Sequence, residues 1–272
     1  MLLQPDRYAV IGNPIAHSKS PLIHRLFAEQ TQQNLDYQAV LAPLDGFEQT
    51  VRELFSNGFR GCNVTIPFKQ NAWAFANELS SYASTAGALN TLMLRADGSI
   101  YGHNTDGLGL MRDLCVNKQV QLKTKKVLVL GAGGAVRGII QPLLEREPAL
   151  LYLANRTAET AKDLAVDFAR FGAVQGGGFN TIKDSFDLII NGTAASLQGE
   201  MPELPKNCLA EGGVCYDMMY GHEPTPFMHW AVERQASRVF DGIGMLIEQA
   251  AEAFELWRGM RPDTQPAFAA LS

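Results

Sequence analysis

Hydrophobic positions along this chain follow two rhythms that replace each other repeatedly, short apolar or β-branched runs and stretches with helical spacing. Tyr8–Ile11 reads as a strand that ends in Gly12–Pro21, GNPIAHSKSP. A helix is expected from about Pro21 to Gln33, with Ser20 as N-cap and Pro21 in the first helical position. Tyr37–Leu41 reads as a second strand, and Phe47–Phe55 as a helix stopped by Asn57-Gly58. The run NVTIPFK, Asn63–Lys69, reads as a third strand that stops at Pro67, which has no N–H to give a ladder. A helix over Asn71 to about Leu79 should follow. Two extended runs around Ala96-Asp97-Gly98-Ser99 then predict a hairpin. Strand–helix alternation argues for parallel pairing, and the hairpin makes the sheet mixed.

The pattern changes after about residue 104. Residues 105–117 read as a connecting helix and 116–126, VNKQVQLKTKK, as a polar link. Val127–Leu130 is almost continuously apolar, as expected for a strand covered on both faces. Further strands are expected at Leu150–Ala154, Leu188–Asn191 and Gly213–Asp217, with a helix over Ala158–Phe171. Gly176-Gly177-Gly178 reads as a flexible loop. Met245–Arg258 carries apolar Leu246, Ile247, Ala250, Ala253, Phe254 and Trp257 at helical spacing. That face needs a cover, either the first domain or a partner. The expected fold is α/β with two domains. Residues 1–104, completed by about 240–272, form a substrate domain with a mixed, mostly parallel sheet. Residues 105–239 form a Rossmann-like domain.

Composition narrows the class without changing this picture. The chain has 272 residues, 46% hydrophobic and 19% charged, with a formal net charge of -5. Such a charge offers nothing to a nucleic acid. No apolar run approaches the ~18 residues of a membrane span, and the start of the chain lacks a signal-peptide pattern. Cys62, Cys115, Cys208 and Cys215 form no CxxC pair and have no histidine at ligand spacing, so neither a metal site nor a disulfide is expected. A reducing cytoplasm is the plain expectation, with the chain monomeric or a homodimer.

Chemistry first shows at Gly131-Ala132-Gly133-Gly134-Ala135, between a strand and a helix. Glycines there let backbone N–H groups approach a pyrophosphate. Val136 occupies the third position of the GxGxxG fingerprint, and such turns also occur for structural reasons. The next strand ends in Asn155-Arg156-Thr157 rather than in the carboxylate that bonds an NAD ribose. A guanidinium suits a 2′-phosphate, so the cofactor expected is NADP. The alternative is that the tripeptide only caps a helix. Polar candidates elsewhere are Ser18, Ser20, Thr65, Lys69, Asn90, Asp106 and Gln249.

In order, NPIAHSKSP, NVTIPFK, GALNT, NTDG, GAGGA, NRT, DMMY and DGIGMLIEQAA resemble the motifs of the shikimate dehydrogenase family, over nearly the whole chain. The resemblance implies NADPH-dependent, reversible reduction of 3-dehydroshikimate to shikimate, in aromatic amino-acid biosynthesis. It implies that the C-terminal helix returns to the first domain. By the same resemblance Ser18 and Ser20 hold the substrate carboxylate, and Thr65, Asn90 and Gln249 bond ring hydroxyls. Lys69 and Asp106 form the catalytic pair, and Tyr220 closes over the substrate. Thr193 belongs to the loop along the nicotinamide ribose, with Gly242 and Met245 beside the nicotinamide. Carbonyl reduction does need a proton on oxygen, which Lys69 as ammonium can supply with Asp106 orienting it. A surface Lys–Asp pair and a merely capping Ser20 are the plain alternatives. His17 and His24 read as structural or surface groups.

The chain departs from the family pattern in two places. Asn191-Gly192-Thr193-Ala194-Ala195-Ser196 stands where the family has N-A-T-S, so altered loop geometry is expected. Thr160 stands where many members carry a second basic residue, with Lys162 beyond it. Competing readings are a quinate/shikimate paralogue with relaxed substrate or NAD use, and a non-catalytic nucleotide sensor. The sensor would be expected to lose Lys69, Asp106 or the serines, and all are present.

Overall fold

The computed structural model describes residues 4–193, 200–221 and 223–271. The chain forms two compact units, Met1–Leu110 with Leu246–Ser272, and Met111–Met245.

The first unit alternates β1 (Asp6–Gly12), α1 (Ser20–Thr31), β2 (Leu35–Leu41), α2 (Phe47–Ser56), β3 (Phe59–Val64) and α3 (Lys69–Phe75). It continues with β4 (Glu78–Leu79), α4 (Ser81–Ala86), β5 (Thr91–Leu94), β6 (Ile100–His103) and α5 (Asp106–Arg112). The strand order is β2-β1-β3-β5-β6-β4. β1 pairs in parallel with β2 and β3, while β5 is antiparallel to β3 and β6. Alternation along the strands divides the interior. Ala9, Ile11, Cys62, Val64 and Leu92 face one core with Phe47, Phe68 and Leu89. Tyr8, Val10 and Tyr37 face another with Ile15.

Several local expectations need correction here. Ser20 is not a cap but the first residue of α1; Lys19 takes the cap position, and Ser18 Oγ accepts the Ser20 N–H at 3.3 Å. β3 stops at Val64, before Pro67, because Thr65 N–H turns to Ile11 O and Asn13 N–H to Ile66 O. The next helix begins at Lys69 and ends at Phe75, and Glu78–Leu79 becomes a short strand. The connecting helix is α-helical only to Arg112 and continues as a π-turn over Asp113–Asn117.

The second unit contains β7 (Lys126–Leu130), α6 (Gly134–Leu144), β8 (Leu150–Asn155), α7 (Ala158–Phe168), β9 (Val174–Gly178) and β10 (Phe186–Asn191). β11 (Leu209–Asp217), α8 (Pro226–Glu233) and β12 (Arg238–Phe240) follow. All its strands are parallel, in the order β12-β11-β10-β7-β8-β9. Counted within the unit this is the 3-2-1-4-5-6 order of a doubly wound dinucleotide fold. The triple glycine is strand, not loop. A Cβ at Gly176 would lie 2.0 Å from Ala161 O, so glycine lets α7 pack on the edge strand. The helix expected to reach Phe171 leaves α geometry after Phe168 in one 3₁₀ turn.

The chain ends in α9 (Ile243–Arg258) and α10 (Gln265–Leu271). Both divisions between the units fall inside helices, α5 and α9. The apolar stripe of α9 is covered by the first unit. Trp257 stacks on Tyr8 at 4.6 Å between centroids and donates from Nε1 to Leu92 O at 3.1 Å. Arg258 pairs with Asp6 at 2.5 Å and bonds Gln33 Oε1. No helix among the described residues is long and apolar enough to cross a membrane.

Candidate active site

In the first unit, the turn after β3 delivers Lys69 to the N-terminus of α3, and the end of β6 delivers Asp106 to the N-terminus of α5. Their side chains are 13% and 7% exposed, and Lys69 Nζ donates to Asp106 Oδ2 at 2.5 Å. Asp106 is buried and Lys69 half-buried, unlike the solvated lysine–carboxylate pairs elsewhere on the surface, such as Lys123–Glu147. Asn90, 3% exposed, holds the other carboxylate oxygen: its Nδ2 lies 2.8 Å from Asp106 Oδ1. The same nitrogen is 3.1 Å from Gln249 Oε1 and 2.9 Å from Thr105 Oγ1. The amide's direction follows from its partners. Thr105 N–H can only donate, and the atom 2.9 Å from it is therefore Asn90 Oδ1.

Gln249 reaches this cluster because α9 lies directly on α5. A Cβ on Gly109 would stand 2.5 Å from Gln249 N and 2.8 Å from its Cα. Thr65 sits half-buried in the turn before Lys69, where its carbonyl accepts the Phe68 N–H. Ser18 lies half-buried on the loop from β1 to α1, and Ser20 is buried at the start of α1. That loop is tied to the Thr65 turn by the Asn13 N–H to Ile66 O bond and to the residue after β2 by Asn13 Nδ2 to Ala42 O. Lys69, Asn90, Asp106 and Gln249 thus share one hydrogen-bonded cluster. The sequence reading missed Thr105 and Thr91, although each stands beside a singled-out residue in NTDG or GALNT.

His24 is fully buried, and neither ring nitrogen has a hydrogen-bond partner among the described residues. It stacks on Tyr37 at 4.1 Å, and burial lowers its pKa to about 3, so it is a neutral core group.

In the second unit β7 is followed by Gly131, whose φ of +104° is a conformation that favours glycine. Its N–H donates to Ala154 O, and a Cβ there would crowd Gly192 O at 3.2 Å. Gly192 N–H donates to Leu130 O, so Gly131 and Gly192 face each other where the strand order reverses, the usual dinucleotide crevice. Gly133 caps α6 with nothing within 4 Å of a built Cβ, which leaves the helix N-terminus and the N–H groups of 132–135 approachable by phosphate. Thr193 is held by Asn191 Oδ1, which accepts from its N–H and its hydroxyl. The rest of the altered loop, residues 194–199, lies outside the described residues.

Asn155 ends β8 and its Nδ2 donates to Thr157 O. Thr157 is the cap residue of α7, and its side chain makes no capping bond. Arg156 lines a cavity of about 500 Å³ with Phe179, Asn180, Glu203, Leu204 and Pro205. Lys162 bonds Glu159 at 2.7 Å. Gly242 is required by a close approach, since a Cβ would stand 2.2 Å from Met218 O. Met245 is buried and its N–H donates to Tyr216 Oη at 3.2 Å. Tyr220 follows β11, and burial raises its pKa.

A doubly wound unit with an approachable glycine turn at its switch point binds a dinucleotide, and a buried ammonium–carboxylate pair is what protonation of a reduced carbonyl calls for. Fold and site together define a nicotinamide-dependent oxidoreductase. Three family profiles match: Shikimate dehydrogenase substrate binding domain over residues 10–92, Shikimate / quinate 5-dehydrogenase over 113–202, and Shikimate 5'-dehydrogenase C-terminal domain over 242–270. Shikimate dehydrogenase (NADP(+)) of Methylococcus capsulatus is 57% identical over 99% of this chain and 97% of its own length. The crystal structure of an Ael1 enzyme from Pseudomonas putida superposes with a TM-score of 0.92 at 45% identity, covering 98% of each chain. Shikimate 5-dehydrogenase from Thermus thermophilus, solved in complex with NADP(H) and shikimate, gives 0.86 at 32% identity over 97% of this chain and 98% of that one. This chain belongs to the shikimate dehydrogenase family.

Proposed function

We propose that this chain interconverts 3-dehydroshikimate and shikimate with NADP(H), on the route to aromatic amino acids, with Lys69 and Asp106 as its catalytic pair. The observation that carries this reading is the largely shielded 2.5 Å contact between them, held from the far side by Asn90. NADPH, when bound, supplies the hydride. As charge develops on the substrate oxygen, the Lys69 ammonium stabilises it and donates a proton; in the reverse direction the lysine takes that proton back. Asp106 holds the ammonium in place and is itself held by Asn90. Ser18 and Ser20 grip the substrate carboxylate with hydroxyl and backbone dipoles, while Thr65 and Gln249 with Asn90 bond the ring hydroxyls.

The second unit's residues fit the cofactor. The open turn 131–135 takes the pyrophosphate, Asn155, Arg156 and Thr157 take the adenosine 2′-phosphate, and Thr193, Gly242 and Met245 line the nicotinamide half. Among the described residues lining the cavity beside it, Arg156 is the only cation, with the Glu203 carboxylate on the same wall. Arg156→Ala should therefore raise KM for NADP by about ten- to a hundredfold and leave NAD use nearly unchanged. Steady-state kinetics with both cofactors checks this; equal KM values for NADP in variant and parent reject the assignment.

Lys69→Ala should lower kcat by roughly a hundred- to ten-thousandfold while NADP affinity, read by titration, stays near that of the parent. Turnover at the parental rate would remove Lys69 from the mechanism. Because one matching family description covers quinate as well, the same assay run with shikimate and quinate separates a dedicated enzyme from a paralogue of broader use. The unpaired thiols fit a cytoplasmic enzyme, and light scattering distinguishes monomer from homodimer.

A further inference from the structure

Asn90 does not hold Asp106 unaided. Thr91 Oγ1 lies 3.0 Å from Asn90 Oδ1, and Asn63 Nδ2 lies 3.0 Å from Thr91 Oγ1 and 3.1 Å from Asn90 O. Tyr37 Oη is 2.7 Å from Asn63 Oδ1. Tyr37, Asn63, Thr91, Asn90 and Asp106 are all 8% exposed or less. They are brought together by the sheet, because Asn63 on β3 faces Thr91 on β5 in the antiparallel register, and β2 carries Tyr37 on the same side of the unit.

The direction of every bond is forced. A backbone carbonyl only accepts, so the Asn63 atom near Asn90 O is Nδ2 and its Oδ1 faces Tyr37. The phenol must then donate. Asn63 Nδ2–H points at Thr91 Oγ1, which leaves the threonine proton for Asn90 Oδ1. Asn90 Nδ2–H in turn faces the Asp106 carboxylate, which can only accept while ionised. Burial pushes the Tyr37 phenol well above its usual pKa, and it stays a donor; His24 stacked on its ring fixes the ring plane.

We propose that Tyr37, Asn63 and Thr91 are positioning residues for the reaction: a one-way chain of donors that acts with the Thr105 N–H to hold the Asn90 amide with its N–H edge on Asp106, and through Asp106 sets the place of Lys69. None of the three is asked to touch substrate. A reversed Asn90 amide would put an oxygen against the carboxylate and push the lysine out of register. The proposal rests on Lys69 and Asp106 being the catalytic pair.

The test compares Thr91→Val, Thr91→Ser, Tyr37→Phe and Thr91→Val/Tyr37→Phe with the parent and with Lys69→Ala, all as full-length chain, by steady-state kinetics and thermal melting. Thr91→Val keeps the volume and removes the O–H, while Asn63 Nδ2 keeps Asn90 O and Asn90 Oδ1 keeps Thr105 N–H. We expect Thr91→Val to lose about tenfold in kcat with KM for shikimate within about twofold, and Thr91→Ser to recover the parental kcat. Tyr37→Phe should lose about threefold. The double variant should be no slower than Thr91→Val alone, because one cut already opens the chain. Parental kcat in Thr91→Val, or losses that multiply in the double variant, overturn the proposal, as does a lowered melting temperature with unchanged kcat. If Thr91→Val does not fold, Tyr37→Phe decides alone: reduced kcat at unchanged KM supports the chain, and parental kcat rejects it. An active Lys69→Ala refutes the catalytic pair itself, whereas an inactive Lys69→Ala beside a fully active Thr91→Val refutes only the chain.

Discussion

Gln249 reaches Asn90 only because residue 109 has no side chain. The contact at issue is with Gln249 backbone and Cβ, none of which can swing aside, so Gly109→Ala must move α9 or α5. Overpacking of this kind costs about 1–3 kcal/mol. The expected outcome is a lowered melting temperature together with a fall in kcat/KM for shikimate, since the displaced helix carries Gln249. Thermal unfolding and kinetics on the same preparation check it; an alanine variant with parental values for both would show that the helices separate without consequence. In the sequence, Gly109 belongs to a run that reads as ordinary helix, and glycine there looks only like a weak helix former. Its purpose is a contact with a residue 140 positions further on in the numbering, which no local pattern reveals.

At the level of elements, α9 is fastened to the first sheet by its last turn. Trp257 covers Tyr8 and reaches Leu92 O, and a Cβ on Gly61 would lie 2.6 Å from its indole nitrogen, so the glycine in β3 makes room for the ring. Trp257→Ala should destabilise the first unit by roughly 3 kcal/mol through lost packing and an orphaned carbonyl. Trp257→Phe keeps the stack and should cost about 1 kcal/mol. Urea unfolding followed by circular dichroism separates the two, and equal losses would argue that the ring stack contributes little. The apolar stripe of this helix was readable from its 3.6-residue period. The stripe alone does not say what covers it, since an apolar face is satisfied equally by its own chain or by another; the family resemblance pointed to the first unit, and α9 does lie there.

For the whole molecule, the buried histidines tie stability to pH. Burial lowers the His24 pKa to about 3 and that of His103 to about 4, against 6.5 for the free side chain. The folded state therefore prefers both rings neutral. Their stabilising contribution is complete above pH 6.5 and is lost as pH falls towards 4 for His103 and 3 for His24. Each ring costs about 1.4 kcal/mol per pH unit within its window. Unfolding free energy should thus drop on acidification below pH 6.5, and His24→Phe should make that slope shallower. A slope unchanged by the substitution would mean that His24 is not what resists acid.

Sequence alone determined the alternation of strands and helices, the class of both units and the identity of Lys69, Asp106, Asn90 and Gln249 as candidates, because periodicity, glycine turns and motif order are local properties of a chain. It misjudged Ser20 as a cap, the triple glycine as a loop and the reach of the third strand, because those depend on which carbonyl or helix lies opposite. Tertiary structure decided that the Lys69–Asp106 pair is shielded rather than solvated, which contacts fasten α9 to the first unit, and that Tyr37, Asn63 and Thr91 point one after another towards Asp106. Burial and hydrogen-bond direction are set by neighbours distant in sequence, and those neighbours exist only once the sheet has formed.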